Sequence, residues 1–204
     1  MDTSAVKPEL LAPAGNFEKL EIAIHYGADA VYLAGKNFSL RNFSGNFNDD
    51  ELEAAVRFAH QNGVKVYLAC NIYSRTREEK ELEAYLEKAG QAAPDAVILS
   101  DPGIIRLARQ ILPQIDIHLS TQANTTNVSA ARFWHELGIK RVNLARELSL
   151  EEIKTFTQQA PLETEVFIHG AMCISYSGRC LMSSFLSGRD SNRGLCSHPC
   201  RWRY

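Results

Sequence analysis

The sequence predicts an α/β fold of the TIM-barrel type, a (β/α) barrel-like chain in which seven strands alternate with helices. Three observations predict it. Short apolar runs rich in β-branched residues alternate seven times with longer stretches of helical periodicity. Those runs are apolar almost without interruption, as strands covered by flanking helices are. Two pairs of segments also echo each other, HQNGVKVYLAC (60–70) with HELGIKRVNLA (135–145), and GADAVYLA (27–34) with APDAVILS (93–100). Each marks the same step, a turn followed by an apolar strand, which is the signature of a repeated βα unit.

The first strand is read as ELLAPA (9–14). Ala14-Gly15-Asn16 behind it is a turn, not the Gly-rich phosphate loop of a doubly wound open sheet. AVYLA (30–34) is the second strand. In DDELEAAVRFAHQNG, Leu52, Ala55, Val56 and Ala59 recur at helical spacing and Gly63 stops the helix. VKVYLA (64–69) and AVILS (96–100) follow as strands, and Asp101 before Pro102 is a helix start. IHLST (117–121), the helical SAARFWHELG ending at Gly138, RVNLA (141–145) and EVFIH (165–169) complete the series. A closed barrel needs an eighth strand. Residues 1–169 are therefore expected to form an incomplete barrel-like domain. Residues 170–204 are expected to form a cysteine-rich, mostly irregular segment at the strand C-terminal face, within an N-terminal piece of a longer protein.

Hydrophobic residues make up 45% and charged residues 23%, the balance of a globular chain, and the net charge of −2 gives no global reason for nucleic-acid binding. The charge is unevenly distributed. Residues 170–204 carry Arg179, Arg189, Arg193, Arg201 and Arg203 against Asp190, a net of +4, which leaves −6 on the rest. A basic end on an acidic body guides anions to one face, or is simply a solvated surface. MDTSAVKPELLAPAG has neither region of a signal peptide, and no apolar run approaches the ~20 residues that span a bilayer. The expectation is a cytoplasmic protein without a membrane partner, whose thiols stay reduced.

Barrel chemistry gathers at strand C-terminal ends. That rule selects Glu9, Asn71, Gln122 and Arg146 as substrate-binding candidates, Arg146 because its planar fork clamps a carboxylate or phosphate. It selects Asp101, Glu147 and His169 as acid–base candidates, with a helix N-cap as the plainer role for Asp101. Four of the five cysteines, Cys173, Cys180, Cys196 and Cys200, fall in the spacing C-x6-C-x15-C-x3-C. Structural zinc sites pair ligands two to four residues apart, which suits Cys196 and Cys200 but not Cys173 and Cys180. Four soft thiolates also suit an iron–sulfur cluster, which tolerates irregular spacing. Iron–sulfur, zinc and redox thiols all stay open at this point. Cys70 reads as a small buried hydrophobe. There is no H-E-x-x-H and no G-x-S-x-G. A Cys173–His169 dyad is the one peptidase arrangement the chain offers.

EVFIHGAMCISYSGRCLMS resembles the signature of the collagenase-like peptidases, peptidase family U32, and ELLAPAGN, GADAVYLAG and SNRGLCSHPCRW resemble further blocks of it. The resemblance covers essentially the whole chain. The family name implies proteolysis. Its better-understood bacterial members imply instead an oxygen-independent hydroxylase with a 4Fe–4S cluster, acting on a pyrimidine C5 of tRNA or ribosomal RNA, or on a ubiquinone precursor. A small carboxylate oxygen donor, prephenate, goes with that reading. The chain is most similar to the tRNA 5-hydroxyuridine branch. By position, Cys173, Cys180 and Cys196 match cluster ligands, and Cys200 matches a fourth that in some members lies further along. Arg201 and Arg203 become the expected RNA-phosphate contacts.

Overall fold

Alternation along each strand decides which residues face the helices and which face inward. In a computed structural model that describes residues 7–36, 38–39, 45–72, 74–170 and 172–204, the strands are β1 (Leu11–Pro13), β2 (Ala30–Leu33), β3 (Lys65–Ala69), β4 (Ala96–Leu99), β5 (Asp116–Leu119), β6 (Arg141–Asn143) and β7 (Glu163–Glu165). All neighbours are parallel, and the sheet order is the chain order, β1 to β7. Residues 1–6, the start of the stretch inspected for a signal peptide, lie outside the described residues.

Val31, Leu33, Val66, Leu68, Val97, Leu99, Ile117, Leu119 and Val142 form the outer face of the sheet. They pack against Leu20 of α1 (Phe17–His25), Leu52, Ala55 and Val56 of α2 (Asp49–Gln61), and Leu82 and Leu86 of α3 (Glu79–Gln91). Ile104, Ile105 and Ala108 of α4 (Pro102–Ile111), Ala131 of α5 (Val128–Glu136) and Phe156 of α6 (Leu150–Gln159) continue the layer. Fully burying each of the Val, Leu, Ile and Phe side chains among them stabilises the chain by roughly 1.5–3 kcal/mol. Cys70 is fully buried in this layer, where desolvation pushes its thiol up to about 12.

The inward positions change character around the curl. From β2 to β4 they are Ala30, Ala34, Tyr67, Ala69, Ala96 and Ile98, a small apolar cluster. From β5 to β7 they are His118 and Ser120, Arg141 and Asn143, and Glu165. The sheet curls enough that Arg141 of β6 donates to Glu9, just ahead of β1, at 2.6 Å.

The repeated segments use repeated devices. Gly63 and Gly138 both take left-handed φ, 72° and 79°, where a side chain is strained. The next residues, Val64 and Ile139, donate back to Ala59 and Trp134. Asp29 and Asp95, the shared Asp of the other echo, each accept a neighbouring backbone N–H, from Leu10 at 2.8 Å and Val66 at 2.7 Å. They tie the starts of adjacent strands together.

The seventh strand differs from the sequence reading. It spans Glu163–Glu165, not 165–169, and Val166, Phe167 and Ile168 are exposed. Beyond it, residues 172–204 hold α7 (Met182–Ser187) and two 3-10 turns, Ser191–Arg193 and Pro199–Arg201. No helix among the described residues is long and apolar enough to cross a membrane.

Candidate active site

A cavity of about 360 Å³ lies at the C-terminal ends of the strands. Its floor is Tyr32 of β2, Ala69 and Asn71 at the end of β3, Ile98 of β4, Ser120 and Gln122 after β5, Asn143 of β6 and Glu165 of β7. Its roof is the cysteine segment, from which Cys173, Cys180, Cys196 and Cys200 all contribute to the lining, with Met172, Met182, His198 and Arg201. A larger depression of about 540 Å³ lies near the strand N-terminal ends between Asp116, His135 and Glu163; it holds none of the expected site residues.

The floor is built from side chains that fix each other. Gln122 is buried; its amide donates to the Asn71 carbonyl at 2.6 Å and its carbonyl oxygen accepts from Ser120. Ser100 donates to the same Asn71 carbonyl at 3.3 Å. Asn71 and Gln122 therefore stand where the sequence placed them, within one polar network.

Glu165 and Asn143 are functional candidates that the sequence reading missed. They are register partners on β7 and β6, so their side chains meet on the inner face, and Asn143 Nδ2 donates to Glu165 Oε1 at 2.7 Å. Burial pushes the Glu165 carboxyl up to about 6, against the pull of Arg141 and the Asn143 hydrogen bond. The signal was present: E-T-E places two carboxylates on one face of a short strand. The apolar Val166-Phe167-Ile168 beside it drew the strand assignment away.

Other expected residues fall elsewhere. Glu9 precedes β1 and sits at the strand N-terminal end, opposite to the cavity. Burial raises its carboxyl, but hydrogen bonds from Arg141, Tyr67 and Lys65 outweigh that and hold it at about 2. It closes the curl through Arg141 and does not line the cavity. Asp101 takes its plainer role as N-cap of α4, accepting from Gly103 at 2.7 Å and Ile104 at 3.1 Å. Glu147 is exposed in a turn after β6, and His169 is exposed four residues past β7. Neither lines the cavity.

Arg146 does not present its fork to the cavity. It donates to the Cys173 carbonyl at 2.6 Å, the Ser175 carbonyl at 2.6 Å and Ser177 Oγ at 3.1 Å. These bonds clamp the roof to β6. Arg193 ties the other end of the roof to Glu78, next to α3, with a second bond at 3.0 Å. One arginine of the basic segment is thus spent on the fold, and Arg201 Nη2 donates to the Met172 carbonyl at 3.4 Å. Arg203 is exposed.

All four thiols of the roof line one cavity. The Cys196 sulfur accepts from the His198 N–H at 3.4 Å. Burial raises the Cys180 thiol, but the backbone N–H groups of Met182 and Ser183 and the Ser175 and Ser191 hydroxyls outweigh it and lower its pKa, favouring the thiolate. Among the described residues no three His, Cys, Asp or Glu are drawn together closely enough to hold a metal as they stand. Four thiols around one cavity are the donor chemistry of a soft metal centre.

Residues 15–204 match the family described as Peptidase family U32. The chain is 48% identical over 198 residues to tRNA hydroxylation protein P1 of Bacillus subtilis, covering 97% of this chain and 47% of that protein. It is 38% identical over 204 residues to a 23S rRNA 5-hydroxycytidine synthase of Escherichia coli, covering 100% and 31%. It is 32% identical over 208 residues to a collagenase of Porphyromonas gingivalis, covering 96% and 50%. The chain thus spans about half or less of the length of these relatives. Among solved structures, a U32 peptidase superposes with a TM-score of 0.66 at 14% identity, covering 81% of this chain and 70% of its own. That agreement speaks for the curled (β/α) fold. On the match across residues 15–204, the chain belongs to peptidase family U32.

Proposed function

We propose that this chain is the barrel portion of an RNA hydroxylase that installs oxygen at a pyrimidine C5, in the first instance a tRNA uridine. One observation carries the reading: four thiols roof the same cavity whose floor is the polar ends of the strands. A thiol-bound redox centre and a small organic substrate would there share one space. The names of the relatives from Bacillus subtilis and Escherichia coli support RNA as the substrate class.

In this reading Cys173, Cys180, Cys196 and Cys200 hold a 4Fe–4S cluster, with zinc as the alternative. Bound there, the cluster supplies one-electron redox chemistry. Asn71, Gln122, Ser120 and Asn143 orient the reacting base and the small carboxylate oxygen donor, for which prephenate is the proposed identity. Arg201 at the cavity rim and Arg203 beside it meet RNA phosphates. The roof excludes water from the reacting atoms.

The collagenase relative keeps a peptidase reading in view. It needs Cys173 free as nucleophile beside His169. His169 is exposed and does not line the cavity that Cys173 lines. The geometry favours the hydroxylase.

The test uses full-length protein purified without oxygen. It should be brown with about four iron atoms per chain, as a 4Fe–4S cluster requires. Cys173→Ser and Cys180→Ser should lose the colour and Cys70→Ser should keep it. Deleting the gene should remove 5-hydroxyuridine from host tRNA, and the Cys173→Ser form should fail to restore it. Stoichiometric zinc without visible absorption would move the assignment to zinc. Unchanged tRNA in the deletion strain, with gelatin cleavage blocked by thiol alkylation, would refute the hydroxylase.

A further inference from the structure

Glu165 is the one carboxylate among the described residues that line the cavity. Two carboxylates, Glu9 and Glu163, already occupy the Arg141 guanidinium at 2.6 and 2.7 Å. Glu165 reaches it only at 4.0 Å, so its charge lacks a close ion-pair partner. Around that arginine stand Glu9 from ahead of β1, Glu163 from β7, Tyr67 from β3 and His118 from β5, and the roof of the cavity that Glu165 lines brings the four thiols, His198 and Arg201. His118 is held neutral, lowered to about 3 by burial and then by Arg141. A carboxylate kept only to close the curl would sit on the arginine, as Glu9 does. Glu165 is instead turned to Asn143, whose buried Oδ1 has no partner among the described residues. That oxygen can accept a hydrogen bond from a donor group in the cavity.

We infer that Glu165, oriented by Asn143, is the base of this cavity and accepts the proton that leaves the substrate carbon. The inference rests on the hydroxylase reading and deepens it. The C5–C6 π pair of the pyrimidine forms the bond from C5 to the donor's oxygen, which leaves C6 electron-deficient, and the C5–H bond then breaks. Its electron pair returns to the ring as the C5–C6 double bond, and the proton passes to a Glu165 carboxylate oxygen. The oxygen atom and the two-electron oxidation come from the organic oxygen donor, whose C–O bond breaks and which leaves reduced by two electrons. A pKa near 6 leaves the carboxylate ionised at neutral pH and basic enough to act. Asn143 is a positioning residue.

The experiment uses full-length protein carrying Glu165→Gln, Glu165→Asp or Asn143→Ala, with tRNA from the deletion strain as substrate. Glu165→Gln should keep iron content, visible absorption and tRNA binding, and lose single-turnover hydroxylation about a hundredfold or more, the usual weight of a general base. The wild-type rate should fall below about pH 6, as the carboxylate is protonated. Glu165→Asp should move that limb. Asn143→Ala should shift it to higher pH, because the Asn143 hydrogen bond lowers the Glu165 pKa. Hydroxylation by Glu165→Gln within about threefold of an active wild type would overturn the inference alone, as would loss of iron with the substitution. A wild type that leaves tRNA unmodified would overturn the hydroxylase reading, and this assignment with it.

Discussion

Glu9 and Glu165 sit around the same arginine and are pushed in opposite directions, Glu9 down to about 2 and Glu165 up to about 6. The difference is contact: Glu9 accepts from Arg141, Tyr67 and Lys65, whereas Glu165 accepts from the neutral Asn143 amide. Opposite stability effects follow. The depressed Glu9 pKa contributes stability present above its unfolded value of 4.5 and lost as pH falls towards 2. Arg141→Met should therefore flatten the acid limb of a urea-unfolding stability profile between those values. The raised Glu165 pKa contributes stability present below 4.5 and lost as pH rises through about 6. Glu165→Gln should thus stabilise the protein at pH 8 by on the order of 1–2 kcal/mol, read from urea midpoints. A substitution that stabilises the fold while removing activity marks a residue held for function.

At the scale of elements, strands and helices were legible because their patterns are local. Apolar runs gave six strands, and the Gly63 and Gly138 stops gave the helix ends, since left-handed backbone selects glycine. β7 was misplaced because Glu163-Thr164-Glu165 carries no apolar signal. Its side chains face a polar interior that only the curl creates. The strand-end rule singled out Asn71 and Gln122, and spacing the four cysteines, and all six line the cavity. Arg146 was read as a clamp on an anionic ligand, and its actual partners were not legible, since Cys173, Ser175 and Ser177 lie some thirty residues on and offer mainly carbonyl oxygens. Its bonds make a distinct expectation. Arg146→Ala should free the roof and speed alkylation of Cys173 in metal-free protein about tenfold or more, the weight of a charge-assisted hydrogen-bond pair. An Arg146→Ala protein with unchanged Cys173 reactivity would show that the clamp does not hold the roof. Asp101→Ala, by contrast, should cost about 1 kcal/mol of stability through the lost α4 cap. Hydroxylation by that variant should persist.

At the scale of the whole molecule, sheet order follows chain order, so the interior is graded along the chain. The walls from β2 to β4 are mostly apolar, with Ala69, Ile98 and the Tyr32 ring at the cavity and Asn71 at their rim, and those from β5 to β7 carry Ser120, Asn143 and Glu165. A reaction that builds charge feels these walls as two solvents. Ala69 and Ile98 offer only hydrocarbon to a developing charge, while at Asn143 a side-chain dipole is already in place and needs no rearrangement. A planar ring entering this space therefore gains from burying its apolar face on one side and from placing its reacting edge on the other. The grading selects the orientation of a ligand before any single hydrogen bond identifies it.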